Sequence, residues 1–152
     1  MKKLFLKIKN GIQNIFIWLP IIWNDRQWDH FYLYEMLLKK LTLMEKYHTN
    51  SNNFVGQNKI AKQIKLCRLL CQRIVDDRYI INATKPVENK YGEWSFESEL
   101  CEDGFCRRLV DNRTEKERVA YKRAYNLSDY LRQQDKEMLF DKLNKWLDCW
   151  WD

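Results

Sequence analysis

The residues best suited to chemistry in this 152-residue chain are arginines that lie close to aromatic side chains. Arg26 falls between Trp23 and Trp28, in a stretch that also carries Asp25 and His30. A guanidinium group can bind a phosphate through two parallel hydrogen bonds, and aromatic rings stack on bases. The combination is typical of a nucleotide pocket or a single-stranded nucleic-acid groove, and equally of the polar rim of a helical bundle.

A second group of the same kind lies further along the chain. Arg68, Arg73 and Arg78 occur within one helical stretch, and Tyr79 follows the last of them directly. We expect the two groups to supply the binding residues for a small phosphorylated ligand. The candidate ligand-binding residues are Trp23, Asp25, Arg26, Trp28, His30, Arg68, Arg73, Arg78 and Tyr79.

The carboxylates near His30 could in principle supply an acid–base pair, since a carboxylate beside a histidine orients the ring and raises its basicity. Asp29 and His30, however, point about 100° apart on a helix and cannot simply face each other. Asp25 and Asp29 could instead stabilise a helix N-terminus through its dipole. Phosphate-binding loops, His-Glu-x-x-His pairs and Gly-x-Ser-x-Gly elbows do not occur in the sequence. We therefore predict no catalytic residues and a non-enzymatic protein.

Cys67 and Cys71 are four residues apart, so they share one face of a helix and could ligate a metal. Either Cys101 and Cys106 or His30 and His48 could complete a zinc site. The alternative is that both thiols fill the core, because they lie on an apolar stripe with Ile64 and Ile74. We favour the core and predict neither a metal nor a cofactor.

Composition points to one ordered helical domain covering residues 1–152. Hydrophobic residues make up 45% of the chain and aromatic residues 14%, which excludes wholesale disorder. Four glycines and two prolines favour long regular elements. An odd number of cysteines without a secretory pattern predicts a cytoplasmic protein. Lys7 and Lys9 interrupt the first apolar segment, so we predict neither a signal peptide nor a membrane span.

The net charge of +6 is unevenly distributed. Residues 1–24 contain four lysines and no acidic residue, and residues 51–81 contain six basic and two acidic residues. Such segments could attract nucleic acid, nucleotides or an anionic membrane surface. They could also be solvated faces that only aid solubility.

The first helix is predicted from a stripe of apolar residues at spacings of three and four, with lysines on the other side. The stripe comprises Phe5, Ile8, Ile12, Ile15 and Leu19. Such a helix could lie on an anionic membrane or dock on the core of the domain, and we favour docking. Pro20 should end this helix near Trp18, because the residue before a proline is displaced from helical geometry.

Later elements follow from caps and turns. Asn24 or Asp25 is a plausible N-cap for a second helix that reaches about His48, and a third helix is predicted over 54–79. Alternating residues around a Glu-Asp-Gly turn predict a β-hairpin within 92–110, with an irregular loop as the alternative.

The last helix should begin at the capping box formed by Thr114 and Glu117. Asp135 interrupts its apolar stripe, so one long helix and two shorter ones are both possible. We predict a mainly α fold, a bundle of four or five helices with a possible small β-hairpin before the last helix.

Three strings, over 18–29, 67–79 and 150–152, resemble a group of small tailed-bacteriophage proteins to which no reaction or ligand is attached. The resemblance covers most of the chain except 82–113. It implies an accessory protein in the cytoplasm of an infected bacterium, and proteins of that kind often bind a host factor, nucleic acid or a defence signal. It carries over no functional residue.

Our leading expectation is a non-enzymatic protein that binds and sequesters a small phosphorylated ligand, such as a cyclic-nucleotide defence signal, within a homo-oligomer. One alternative is a nucleic-acid-binding accessory protein. The other is a structural or host-protein interaction protein that uses the first helix and the terminal tryptophans as its contact surface. Membrane contact by residues 1–19 is the least favoured possibility.

Overall fold

The computed structural model describes residues 2–26, 28–50, 56–93, 97–101 and 105–150. These residues form five α-helices and one two-stranded antiparallel sheet, which confirms the predicted mainly α fold with a hairpin before the last helix. Within the described residues, no helix is both long enough and apolar enough to span a bilayer. The elements are α1 (Lys2–Ile22), α2 (Phe31–Asn50), α3 (Gln57–Asp76), α4 (Tyr79–Tyr91), β1 (Glu97–Leu100), β2 (Arg107–Val110), α5 (Glu115–Trp146) and a final 3₁₀ turn (Leu147–Trp150).

The chain divides into two compact units. The first unit comprises Met1–Val75 and Leu139–Asp152, and the second comprises Asp76–Met138. Residues of α5 contribute to both units, and each unit is described separately below.

The core of the first unit is built around the predicted stripe of α3. Ile64, Cys67 and Cys71 are fully buried, which agrees with cysteine acting as an apolar core residue. Trp150 is also fully buried, and its indole Nε1 donates a hydrogen bond of 3.3 Å to Oε1 of Gln63 on α3. The core residues are Leu41, Met44, Ile64, Cys67, Leu70, Cys71, Ile74, Leu139, Leu143 and Trp150.

The prediction that Pro20 ends the first helix near Trp18 is wrong, because α1 continues through Pro20 to Ile22. A proline removes one backbone donor, but the next turn keeps its own hydrogen bonds. The backbone N–H of Trp23 donates to the carbonyl of Leu19 over 2.9 Å. The helix therefore tolerates the proline close to its end.

The second helix begins later than predicted, at Phe31 and not near Asn24 or Asp25. Oδ1 of Asp29 accepts a hydrogen bond of 2.9 Å from the backbone N–H of Phe31. The carboxylate of Asp29 thus satisfies a free donor at the start of α2, as the helix-terminus interpretation predicted for it.

The predicted helix over 54–79 is two helices in the structure, with the break at Asp77. Asp77 has a φ of 45°, in the left-handed region that ends helices and that aspartate tolerates better than most residues. Residue 54 lies outside the described residues. A separate α4 follows, with Pro86 inside it.

In the second unit, β1 pairs with β2 so that Glu97 lies opposite Val110 and Leu100 opposite Arg107. The predicted Glu-Asp-Gly turn of this hairpin, residues 102–104, lies outside the described residues.

The capping box is present as predicted, since the carboxylate of Glu117 accepts from the backbone N–H of Thr114 over 2.6 Å. This hydrogen bond lowers the pKa of Glu117. Just before it, the guanidinium of Arg113 donates to both carboxylate oxygens of Asp111, over 2.7 and 2.9 Å, and holds the pKa of Asp111 well below its usual range.

Asp135 interrupts the apolar stripe of α5 but does not break the helix. Its side chain is buried, and Oδ2 accepts a hydrogen bond of 2.6 Å from the hydroxyl of Tyr79 at the start of α4. When a buried carboxylate loses a hydrogen-bond donor, the free-energy penalty of its desolvation is no longer offset. The pair therefore fixes α4 against α5 within the second unit.

We predict that Tyr79→Phe lowers the free energy of unfolding by about 1–3 kcal/mol, because the carboxylate of Asp135 loses a buried donor. Urea denaturation provides the measurement. Tyr125→Phe, which removes the hydroxyl of a more exposed tyrosine on α5, is the control and should change stability little. Asp135→Asn should lower the free energy of unfolding less in the Tyr79→Phe background than in the parent protein. Strictly additive effects of the two substitutions would disprove the coupling between these side chains.

Candidate functional site

Four of the predicted ligand-binding residues surround one hollow near the start of α2. Asp25, Arg26, Trp28 and His30 line it, and its volume is about 260 Å³. The remaining lining residues are Asp29, Tyr32, Leu33 and Met36. The structure thus brings together the first predicted group, except Trp23.

The charges of this hollow do not select an anion. Nη1 of Arg26 donates to the backbone carbonyl of Asp25 over 3.2 Å, and the hollow contains two carboxylates against one guanidinium. The carboxylate of Asp29 is already engaged at the start of α2. The hollow instead offers the indole of Trp28, which is 81% exposed, beside one arginine and one imidazole.

The second predicted group does not join this hollow. Arg68 is partly buried and forms an ion pair with Glu45 of α2. Arg73 is exposed on α3. Arg78 is exposed in the second unit, and the neighbouring Tyr79 is 7% exposed and bonded to Asp135. Arg68 and Tyr79 therefore hold the helices together, and Tyr79 does not offer an exposed ring for stacking.

Comparison with known protein families, with characterised proteins and with solved structures finds no match to this chain.

The largest departure from expectation is the apolar stripe of α1, which we expected to dock on the core. Its side chains are in solvent; Phe5, for example, is 70% exposed. Successive residues of a helix are rotated by 100° around its axis. On that basis a set of exposed apolar side chains of α1 lies within an arc of about 120°, and we call this set the α1 apolar face. Its members are Leu4, Phe5, Ile8, Ile12, Ile15, Phe16, Leu19 and Ile22.

The contact of α1 with α2 leaves the α1 apolar face uncovered. The partly buried side chains of α1 are Ile17, Trp18 and Ile21, and α1 contacts α2. At 100° per residue, Ile17 and Ile21 lie roughly opposite the centre of the α1 apolar face. The helix therefore packs through its less continuous apolar side and leaves the continuous one in solvent.

The charged residues of α1 are all cationic. Lys3 and Lys7 are exposed on the side away from the α1 apolar face, and Lys9 lies at its edge. The tryptophan that follows the helix, Trp23, is 74% exposed. A continuous apolar surface with lysines and an exposed indole can bind an apolar, anionic surface by both burial and charge attraction.

The thiols of α3 are poorly suited to metal binding or nucleophilic chemistry. Burial raises the pKa of Cys67 to about 11 and that of Cys71 to about 12, and the thiolate is the form that reacts and binds metals. The thiol of Cys71 lies 3.3 Å from the backbone carbonyl of Tyr34. Among the described residues, no group of three or more His, Cys, Asp or Glu side chains could hold a metal ion.

His48 is the other histidine that the sequence offered as a possible metal ligand. It is 2% exposed, its ring meets the ring of Tyr47 edge-on, and burial lowers its pKa. The carbonyl of His48 accepts a hydrogen bond of 2.8 Å from Nε2 of Gln57, which ties the end of α2 to the start of α3. We assign His48 to the core of the first unit.

We predict that Cys67 and Cys71 react with a thiol reagent such as DTNB only after the protein unfolds. Cys106 and Cys149 are exposed and should react in the native state. Raising the solution from roughly pH 7 to pH 9 should accelerate the exposed thiols and leave the two α3 thiols unreactive, because the reagent is attacked by thiolate. Cys149→Ser, which should reduce the native titration by one thiol, is the control; native-state reaction of either α3 thiol would contradict the assignment.

Proposed function

We propose that the protein is a non-enzymatic accessory protein that attaches to an anionic membrane surface through α1. The observation that carries the proposal is the α1 apolar face, a row of large exposed apolar side chains in a helix without acidic residues. Surface-binding helices of this kind lie in the membrane plane, with their apolar side among the acyl chains and their lysines among the headgroups.

Apolar burial and charge both favour this attachment. Complete burial of a leucine, isoleucine or phenylalanine side chain contributes about 1.5–3 kcal/mol, and partial insertion contributes less. A lysine close to an anionic bilayer contributes about 1 kcal/mol. Lys3, Lys7 and Lys9 can remain in water while their aliphatic stems cover the neighbouring apolar surface.

The charge of α1 favours a lipid surface over a second copy of the chain. Residues 1–24 carry four lysines and no acidic residue, so two copies that pair through this helix bring like charges together. An anionic leaflet attracts the same lysines, and the cytoplasmic leaflet is the anionic one. The proposal thus agrees with the cytoplasmic location that we expected from the cysteines.

We predict that the full chain floats with vesicles of phosphatidylcholine and phosphatidylglycerol at low salt, and much less with phosphatidylcholine alone. Ile12→Ser should weaken the partition roughly tenfold, since it removes an apolar side chain from the contact. The matched control is Leu127→Ser, because Ile12 and Leu127 are 50% and 49% exposed and Leu127 lies on α5. Flotation should also decrease as salt rises.

Two results would overturn this proposal. Equal flotation of the parent and Ile12→Ser proteins would place the contact elsewhere on the molecule. Absence of flotation, together with an oligomer that Ile12→Ser dissociates in analytical ultracentrifugation, would assign the α1 apolar face to a second copy of the chain. An unchanged thermal unfolding temperature of both serine variants would show that the fold is intact.

Sequestration of a small phosphorylated ligand is the second candidate function. The observation that favours it is the exposed indole of Trp28 beside Arg26 in the hollow near α2, and the two carboxylates of that hollow act against it. An exposed indole can stack on a base, and Arg26 can reach a phosphate by giving up its contact with a backbone carbonyl.

We predict for this candidate that cyclic mononucleotides and cyclic dinucleotides quench the fluorescence of Trp28 on titration. Trp28→Phe should remove most of the signal change, and Arg26→Gln should weaken binding roughly tenfold, the size expected for a charge-assisted hydrogen bond. Arg73→Gln is the control, since Arg73 is exposed on α3 and does not line the hollow. Binding that is unaffected by Arg26→Gln would exclude the hollow as the site.

A further inference from the structure

A second concave surface lies entirely within the second unit, between α4 and the first turns of α5. Its volume is about 490 Å³. The lining residues are Pro86, Val87, Lys90, Tyr91, Glu115, Lys116, Val119, Ala120 and Arg123. We call this surface the α4–α5 groove.

Each helix presents one consistent face to the α4–α5 groove. Lys116, Val119 and Arg123 recur on α5 at the spacing of one helical side. On α4, Pro86 and Lys90 are four residues apart, and so are Val87 and Tyr91. The floor between the cations is apolar, since Val119 and Ala120 lie between Lys116 and Arg123 along the helix. The groove is thus an apolar trough with charged residues at its rim.

The rim of the groove carries an excess of positive charge. The side chains of Lys116 and Arg123 form no ion pair or hydrogen bond with another described residue. Nζ of Lys90 lies 4.9 Å from the centre of the Tyr91 ring, a contact that leaves its charge unneutralised. The acidic residue of the lining, Glu115, is itself 3.9 Å from Nη1 of Arg118, so that its charge is partly balanced outside the groove.

Size and charge together indicate the class of ligand. Pockets for small molecules are usually about 300–1,000 Å³, mostly apolar, with a few polar groups that fix orientation. An anionic group would bind at Lys116 and Arg123, and a flat, weakly polar body would lie on the apolar floor near Tyr91. A nucleoside phosphate has these two parts in one molecule.

We propose that the α4–α5 groove is a binding site for a nucleoside phosphate. Arg123 and Lys116 hold the phosphate, and the base packs against Val119, Ala120 and the ring of Tyr91. This site is independent of the α1 apolar face, and it differs from the hollow near α2 in offering three cations against one partly balanced carboxylate.

The test is isothermal titration of the full chain with AMP and ATP, and separately with adenosine and with inorganic phosphate. We expect the nucleotides to bind more tightly than adenosine or phosphate alone, because only they use both the rim and the floor. Arg123→Gln and Lys116→Gln should each weaken nucleotide binding roughly tenfold, as expected when a charge-assisted hydrogen bond is lost. Lys122→Gln removes an equal charge from the neighbouring position, which does not line the groove, and should leave binding unchanged.

Three outcomes would overturn the proposal. Absence of nucleotide binding at millimolar concentration would show that the α4–α5 groove is not a nucleotide site. Equal weakening by Lys122→Gln and Arg123→Gln shows attraction by the general charge of α5 and not by the groove. Loss of nucleotide binding in Arg26→Gln but not in Arg123→Gln would assign the binding site to the hollow near α2. Flotation with anionic vesicles should be unchanged by Arg123→Gln, so that failure here does not bear on membrane attachment.

Discussion

The burial of the α3 stripe is the constraint on which the rest of the first unit depends. Ile64, Cys67 and Cys71 are covered by α2, by the end of α5 and by the indole of Trp150. Among the described residues, this core contains no side chain of α1. The core of the first unit is thus formed without α1, and the continuous apolar side of that helix lies in solvent.

Local signals predicted the parts of the fold that depend on local contacts. The capping box at Thr114 and Glu117 joins residues three apart, and the hairpin joins neighbouring strands, so neighbouring residue types were enough to predict both. Two of the errors concern the backbone conformation of a single residue. Pro20 lies inside α1 where we expected a helix end, and Asp77 takes the left-handed conformation that separates α3 from α4.

The candidate sites were harder to predict because the partner of a charged residue is usually distant in sequence. Arg68 pairs with Glu45, 23 residues earlier, and Tyr79 bonds to Asp135, 56 residues later. The sequence shows the arginine and the tyrosine but not the distant carboxylates to which they bind. The α1 stripe illustrates the same difficulty from the apolar side, since periodicity shows that a face is amphipathic but not what covers it.

α1 obtains little stabilisation from contacts within the first unit. Helices in proteins owe most of their stability to the burial of an apolar face, and glycine within a helix costs about 1 kcal/mol relative to alanine. α1 contains both Gly11 and Pro20 and buries only a few side chains near its C-terminal end. Contact of the α1 apolar face with a lipid surface would add the burial that the first unit does not provide. If α1 attaches to a lipid surface as we propose, the same side chains would stabilise the helix only in the bound state, where the lipid covers them, and not in the free protein, where they lie in solvent.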